Sequence, residues 1–387
     1  MAYIPRILSG ELHTALTQYP VVTIFGPRQS GKTTFVRTEC PAYHYVNLED
    51  PDTRAKALAD PKAFFARLPR PIILDEIQRA PELISYIQVI VDEENRNGSF
   101  ILTGSHQLKL GQAVSQSLAG RTAILTLLPL SIEELSKSVG NDPRGTMLRR
   151  GFLPRIFDQK QEPTRAYRNY FITYVERDLR SLLLVKDLSR FELFIRLLAG
   201  RVGQLFVASS LAAELGLSYK TIQEWVSILE ASYIVWFLRP YYANYGKRLI
   251  KTPKLYFVEP GLACYLLGLE EDDQVERDPL FGNLFENMVI MEAVKARTNR
   301  GREPALYFMR DRNGHEIDLV FDRRPVPLPI EIKASTTYHP EFSKGLTRFD
   351  ALLGTTAKGY VVYGGDDSIE GESLRLLGYK KISRILV

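Results

Sequence analysis

Cysteine is almost absent from the 387-residue chain: Cys40 and Cys264 stand alone, far apart and in no metal-ligand spacing. That excludes a disulfide framework, and two isolated thiols suit a reducing compartment. Histidine is scarce too, with five residues and no cluster. Long apolar runs are missing too. The longest, Thr122–Leu130 and Tyr233–Leu238, fall far short of a bilayer span. Met1–Gly10 lacks the sustained apolar core of a leader, so a cytoplasmic protein with no membrane partner is expected. Neither sign of charge dominates. A net charge of +5 and a pI near 9.0 permit a nucleic-acid partner without requiring one. Internal repeats and low-complexity tracts are absent. What remains is an ordinary globular composition, 45% hydrophobic and 25% charged, on a chain long enough for two or three domains.

The most specific signal lies near the N-terminus. Val21–Phe25 is a short β-branched run of the kind that forms a buried parallel strand. Gly26-Pro27-Arg28-Gln29-Ser30-Gly31-Lys32-Thr33 follows at once, and a helix is expected over Lys32–Thr38, with Thr34 in its first turn. Strand, glycine-rich turn and helix are the context of a phosphate-binding loop. Its backbone amides cradle phosphate oxygens at a helix N-terminus. In that role Lys32 reaches the β- and γ-phosphates of ATP, and the Thr33 hydroxyl ligates Mg²⁺.

A second element strengthens this reading. Pro71–Glu76 is an apolar strand ending in two carboxylates, the Walker B pattern. Asp75 would hold Mg²⁺ through water, and Glu76 would polarise the attacking water. Hydrolysis, rather than binding alone, is therefore expected. Further strands are expected at Tyr43–Leu48, Ser99–Thr103 and Thr122–Leu127. Thr103 or Ser105, at the end of the fourth strand, either orients the hydrolytic water or caps the next helix.

These motifs in this order resemble the AAA+ ATPases: five strands, Walker A on the first, Walker B on the third and a polar sensor on the fourth. The resemblance implies an arginine finger at the end of the helix before the fifth strand. Arg121, in Leu118-Ala119-Gly120-Arg121, is the candidate, although an arginine there also suits the helix dipole. A finger acting on a neighbour's ATP implies a homo-oligomer.

Residues 131–190 read as a helical lid rich in arginine (Arg149, Arg150, Arg155, Arg165, Arg168, Arg177, Arg180). Ser209–Leu215 and Tyr219–Glu230, joined by Gly216-Leu217-Ser218, read as a helix-turn-helix with Ser218 as cap. Strands at Tyr233–Pro240 and Lys254–Val258 would flank a basic, aromatic wing (Tyr241, Tyr242, Tyr245, Lys247, Arg248, Lys251). A winged helix would place Lys220 and Gln223 in a major groove. Such modules serve equally as protein–protein contacts, and Glu224 and Glu230 lie on the same helix. The acidic run Glu270–Asp278 reads as a surface loop.

In the last third, a long helix is expected over Pro279–Arg297, then a hairpin turning at Arg312-Asn313-Gly314. Strand alternation places Glu316, Asp318, Val320 and Asp322 on one face, and Glu331 with Lys333 on one face of the next strand. A helix near Phe342–Leu353 and a strand at Gly359–Tyr363 complete the region.

An Asp followed on the next strand by Glu-x-Lys resembles the PD-(D/E)XK nuclease core. The resemblance implies a divalent ion, Mg²⁺ or Mn²⁺, held by Asp318 and Glu331 with Glu286 from the preceding helix, and Lys333 stabilising the developing charge. Purely nucleic-acid-binding relatives of that fold also exist.

Taken whole, the chain resembles a family of bacterial and archaeal ATPases that join an AAA+ core to a C-terminal region of unassigned function with a restriction-endonuclease-like end. One departure is Gly151-Phe152-Leu153-Pro154-Arg155, where a second glycine and an acid are expected. The expected fold is α/β: a P-loop core at 1–130, a helical lid at 131–190, a winged helix at 191–260 and a PD-(D/E)XK-like domain at 261–387. The function expected from it is ATP hydrolysis coupled to DNA, with ATP state governing access to the nuclease-like site. Two rivals remain: a regulatory switch whose C-terminal fold is inactive and binds a partner protein, and a winged-helix DNA-binding regulator.

Overall fold

A computed structural model describes residues 3–105, 117–136, 142–174, 187–241, 251–311, 313–353, 358–371 and 375–387. The β-branched runs of the N-terminal region become strands β1 (Val21–Phe25), β2 (His44–Asn47), β3 (Ile72–Asp75), β4 (Phe100–Gly104) and β5 (Thr122–Thr126). They pair in the order β2-β3-β4-β1-β5, every pairing parallel. Every residue of β1, β3 and β4 is buried, as a strand covered on both faces requires. Helices α1 (Ser9–Gln18), α2 (Lys32–Glu39), α3 (Pro51–Ala59), α4 (Pro61–Arg67) and α5 (Leu83–Glu94) accompany this sheet.

Parallel strands put all their C-terminal ends at one edge. The loop after β1 and the carboxylates after β3 therefore meet at that edge, beside the switch point between β1 and β4 where an open α/β sheet binds ligands.

The lid region contains α6 (Arg144–Arg150), α7 (Pro154–Asp158) and α8 (Pro163–Tyr170). Proline opens both α7 and α8, where a missing N–H costs nothing, and the Glu162 carboxylate caps α8. Arg177 and Arg180 lie outside the described residues. After α9 (Leu188–Ala199) come α10 (Ala208–Leu215) and α11 (Tyr219–Ala231). Gly216 sits between them in the left-handed region, at φ +61°, and Ser218 Oγ accepts the Thr221 N–H at 3.0 Å.

The wing strands take a different place from that of a free-standing module. β6 (Val235–Pro240) and β7 (Lys254–Phe257) pair antiparallel, but β6 also pairs in parallel with β8 (Leu306–Arg310). Both thus belong to one sheet with β9 (Glu316–Phe321), β10 (Leu328–Lys333), β11 (Tyr360–Tyr363), β12 (Ser368–Glu370) and β13 (Arg375–Gly378), in the order β12-β13-β11-β10-β9-β8-β6-β7. The boundary expected at residue 260 runs through this sheet. Tyr242, Tyr245, Lys247, Arg248 and Arg312 lie outside the described residues.

The acidic run read as a loop is instead a helix over most of its length, α13 (Asp272–Arg277), which follows α12 (Pro260–Leu266). The reason is local. Glu271 and Gln274 form a capping box, each side chain taking the other's backbone N–H, and Asp272 and Asp273 favour the helix N-terminus. Helix α14 (Phe281–Thr298) is buried along most of its length, and α15 (Lys344–Leu353) packs on β9 and β10. One buried cluster runs from Val21 in β1 to Leu386, so the two sheets share a continuous core.

Candidate functional site

The phosphate loop is built on close approach. A Cβ at Gly26 would overlap the Leu127 carbonyl oxygen, and Gly31 takes φ +90° as the residue that starts α2. Lys32 is 6% exposed and folds back over the loop, donating to Gly26 O at 3.0 Å and Pro27 O at 2.8 Å. Burial pulls its ammonium down to about 8, against the opposing pull of Glu76 and Asp75. Arg28 lies over the Tyr174 ring at 5.4 Å, which ties the loop to the lid region. The loop's remaining residues fall in place around it: Ser30 is buried, while Gln29 and Thr34 reach the cavity described below.

Walker A and Walker B meet directly. Thr33 Oγ1 donates to Asp75 Oδ2 at 2.7 Å, and Tyr45 OH donates to the same oxygen at 2.7 Å. Thr103 Oγ1 donates to the other oxygen, Asp75 Oδ1, and accepts the Glu76 N–H at 3.2 Å. The fourth strand's hydroxyl therefore sets the geometry of both acids. Glu76 sits at φ +59°, a strained position for a residue with a Cβ, and burial raises its carboxyl above the usual range. Gln78 Nε2 donates to Glu76 Oε2 and, at 3.2 Å, to Ser105 Oγ. Gln78 thus links Ser105 to Glu76. A hydroxyl and a carboxylate converging at one point are the donor set a hard cation takes, so Thr33 and Asp75 fit Mg²⁺.

A cavity of about 510 Å³ adjoins the loop, lined by Tyr3, Ile4, Gly31, Thr34, Pro154 and Arg155 among others. Its volume suits a nucleoside, and its walls come from the N-terminal segment, α2 and the lid helix α7. Arg6 braces this wall. Its buried guanidinium donates to Ser30 O at 3.0 Å, Leu128 O at 2.6 Å and Glu134 Oε1 at 3.0 Å. Nothing in the local sequence marks Arg6, because its partners come from the phosphate loop and from residues 128–134, both far along the chain.

Arg121 lies at the opposite edge of the sheet from the phosphate loop, next to the N-terminal end of β5. It is paired with Asp92 of α5 at 2.5 and 2.9 Å and is partly exposed. It cannot reach ATP in its own chain.

The C-terminal acids also gather. Extending the β9–β10 register by one pair sets Glu331 opposite Asp318. Lys333 Nζ lies between them, 3.0 Å from Asp318 Oδ2 and 2.6 Å from Glu331 Oε2. Asp318 Oδ2 also accepts the Ile332 N–H at 2.7 Å. Burial raises Asp318, but Lys333 and Lys254 outweigh it and the net shift is down. Glu331 is pushed up to about 8 by burial and by Asp318. Glu286 does not join this pair. It accepts Lys254 Nζ at 2.7 Å and Tyr256 OH at 2.5 Å, and Lys254 also holds Glu316 at 2.6 Å. Among the described residues no three His, Cys, Asp or Glu side chains are arranged to hold a metal ion. The three-acid set expected of Glu286, Asp318 and Glu331 therefore does not fit a metal as it stands.

Between the two sites lies a buried polar bridge. The Leu130 N–H donates to Phe152 O at 2.9 Å, closing the start of the lid onto its middle. Lys295 Nζ of α14 donates to Leu130 O at 2.9 Å and Glu292 Oε1 at 2.8 Å, and lies 4.1 Å over the Phe152 ring. Glu292 Oε2 accepts the Ile132 N–H at 2.7 Å. Glu259, next to β7, accepts the Phe152 N–H at 2.8 Å and Tyr167 OH at 2.9 Å. Burial raises Glu259 to about 6, with Lys295 pulling the other way.

Comparison with known proteins agrees with the N-terminal geometry. Residues 18–136 match the family described as AAA domain. Residues 145–273 and 281–382 match two domains of unknown function, DUF8612 and DUF4143. The uncharacterized proteins Rv2008c of Mycobacterium tuberculosis and Mb2031c of Mycobacterium bovis are each 31% identical over 348 residues, covering 88% of this chain and 76% of theirs. A solved structure, the Walker-type ATPase paby2304 of Pyrococcus abyssi, is similar at 15% identity and a TM-score of 0.46, over 67% of this chain and 94% of that one. No helix among the described residues is long and apolar enough to cross a membrane.

Proposed function

The chain belongs to the family of the uncharacterized mycobacterial proteins Rv2008c and Mb2031c and carries an AAA domain that makes it an ATPase, and from that premise we propose that it works as a nucleotide switch. The C-terminal region reads the state of the ATP site through the lid. The observation that carries this reading is the triple grip on the lid: Glu259, Glu292 and Lys295 hold the backbone of Leu130, Ile132 and Phe152. Three residues beyond Phe152, Arg155 lines the cavity beside the phosphate loop.

On this reading ATP enters with its phosphates on the amides of residues 26–33 and its base in the cavity under α7. Lys32 leaves the Gly26 and Pro27 carbonyls for the phosphates. Thr33 and Asp75 would hold Mg²⁺, which when bound neutralises phosphate charge. Glu76, fixed by Thr103 and Gln78, accepts a proton from the attacking water as its oxygen bonds to the γ-phosphorus and ADP leaves. Arg121, unable to act in its own chain, acts on a neighbour's nucleotide in a homo-oligomer.

The C-terminal sheet is the output. Its acids are already held by lysines and, at Asp318, by the Ile332 N–H, which favours the non-cleaving switch that binds a partner over a nuclease. DNA contact by α11 has less support: Lys220 is exposed but leans toward Glu224 at 3.9 Å, and Gln223 donates to Tyr219 OH.

The test measures ATP turnover and DNA cleavage in the same tubes, with wild type beside Lys32→Ala, Glu76→Gln and Asp318→Ala. Turnover lost in the first two, unchanged in the third, with intact DNA throughout, is the expected result. Cleavage that disappears in Asp318→Ala would replace the switch with an ATP-coupled nuclease.

A further inference from the structure

The acids of the C-terminal sheet surround a lysine that comes from elsewhere in the chain. Lys254 opens β7, and its backbone is pinned on both flanks. One side pairs with Leu238 of β6 and the other bridges to Leu205. Its side chain is 4% exposed, so the ammonium is fixed in place. Nζ bridges Glu286 Oε1 and Glu316 Oε1 at 2.7 and 2.6 Å. The second oxygen of Glu316 accepts Arg310 at 3.2 Å. Lys333 bridges Asp318 and Glu331 in the same manner. A Cβ on Gly345 of α15 would overlap Glu331 Oε1, so α15 closes that side. Four carboxylates thus meet three protein cations, two of which occupy bridging positions between paired acids.

We propose that Lys254 is an internal cation: it stands between Glu286 and Glu316 where a divalent ion would otherwise draw the acids together, and it closes the cluster to metal. An incoming ion would have to displace an almost fully buried ammonium, at the cost of leaving that charge buried and unpaired. Nucleotide plays no part in this closure, which holds in the nucleotide-free protein.

The experiment titrates full-length, nucleotide-free protein with Mn²⁺ and follows the free ion by electron paramagnetic resonance. Asp75→Asn is present in every sample, so that an ion at Thr33 and Asp75 is not counted. With Lys254 intact, no Mn²⁺ site is expected, and the thermal midpoint does not move with Mn²⁺. Lys254→Met, which keeps the length of the side chain and removes the charge, gains one Mn²⁺ per chain. Its thermal midpoint rises with the ion. Adding Glu316→Gln, which takes away one of the two acids that Lys254 bridges, removes the new site. One Mn²⁺ bound with Lys254 intact, and lost in Glu286→Gln, overturns the proposal whether or not Lys254→Met folds. So does a folded Lys254→Met variant that binds no ion.

Discussion

Lys295→Met isolates the bridge between lid and C-terminal helix. Lys295 is fully buried, and its ammonium makes two hydrogen bonds and a contact over the Phe152 ring. Methionine fills nearly the same volume, so the loss is electrostatic rather than a cavity. It leaves Glu292 buried with the Ile132 N–H as its remaining hydrogen-bond donor, and leaves Leu130 O without its Lys295 donor. Removing one partner of a buried pair costs about 3–5 kcal/mol. Adding Glu292→Gln to Lys295→Met removes the stranded charge while its amide oxygen can still accept from Ile132. The double variant should therefore recover about 1–3 kcal/mol. Urea denaturation of wild type, both single variants and the double variant gives the cycle. ATP affinity, followed by a fluorescent analogue, should weaken in Lys295→Met, because Leu130 also lines the cavity beside the phosphate loop. A loss below about 1 kcal/mol, or costs that simply add, would refute the buried-pair reasoning.

Four further outcomes are expected. Lys32 titrates near 8 when folded and near its ordinary 10.5 when unfolded. Its charging therefore works against folding at neutral pH, and that cost fades as pH rises from about 8 toward 10.5. ATP needs the charged ammonium, so affinity should fall up to about tenfold per unit above pH 8, with proton uptake on binding visible by calorimetry in buffers of different ionisation enthalpy. Uptake that stays at zero through pH 9 counts against a depressed Lys32. Gly151→Ala should unfold the lid at lower temperature: φ +62° with ψ −155° is open essentially to glycine alone, at about 1–3 kcal/mol for other residues, and a Cβ would overlap Glu259 and Tyr167. An unchanged melting curve would contradict that. Lys32→Ala and Arg121→Ala, each inactive alone, should recover part of the turnover when mixed, because one supplies the arginine and the other the bound ATP. No recovery at any ratio argues against a finger acting between chains.

The ATP site was legible because its parts are contiguous. A phosphate loop needs its glycines, lysine and hydroxyl at fixed spacing, and Asp75-Glu76 closes an apolar strand of the right length. The Ser218 cap and the facing of Asp318 with Glu331 and Lys333 followed from helical capping and strand alternation in the same way. What was hidden depends on partners far apart in the chain. Arg6 meets Leu128 across 122 residues, and Lys295 meets Leu130 across 165. In sequence Lys254 reads as the start of a wing strand, and only the joining of β6 to β8 brings its ammonium to the C-terminal acids. The run Glu270–Asp278 misled by composition: acids at a helix N-terminus and acids in a loop look alike until Gln274 closes the capping box.

Hydrogen exchange of the Glu76→Gln variant, with and without Mg²⁺ and ATP, shows whether the C-terminal sheet senses the nucleotide. The variant should hold ATP without consuming it. ATP should change protection in the phosphate loop, at 130–152, and also at 254–259 and 328–333 in the C-terminal sheet. Lys295→Met in the same background should confine the change to residues before 174. Protection that changes around the phosphate loop alone, in both proteins, would contradict the switch.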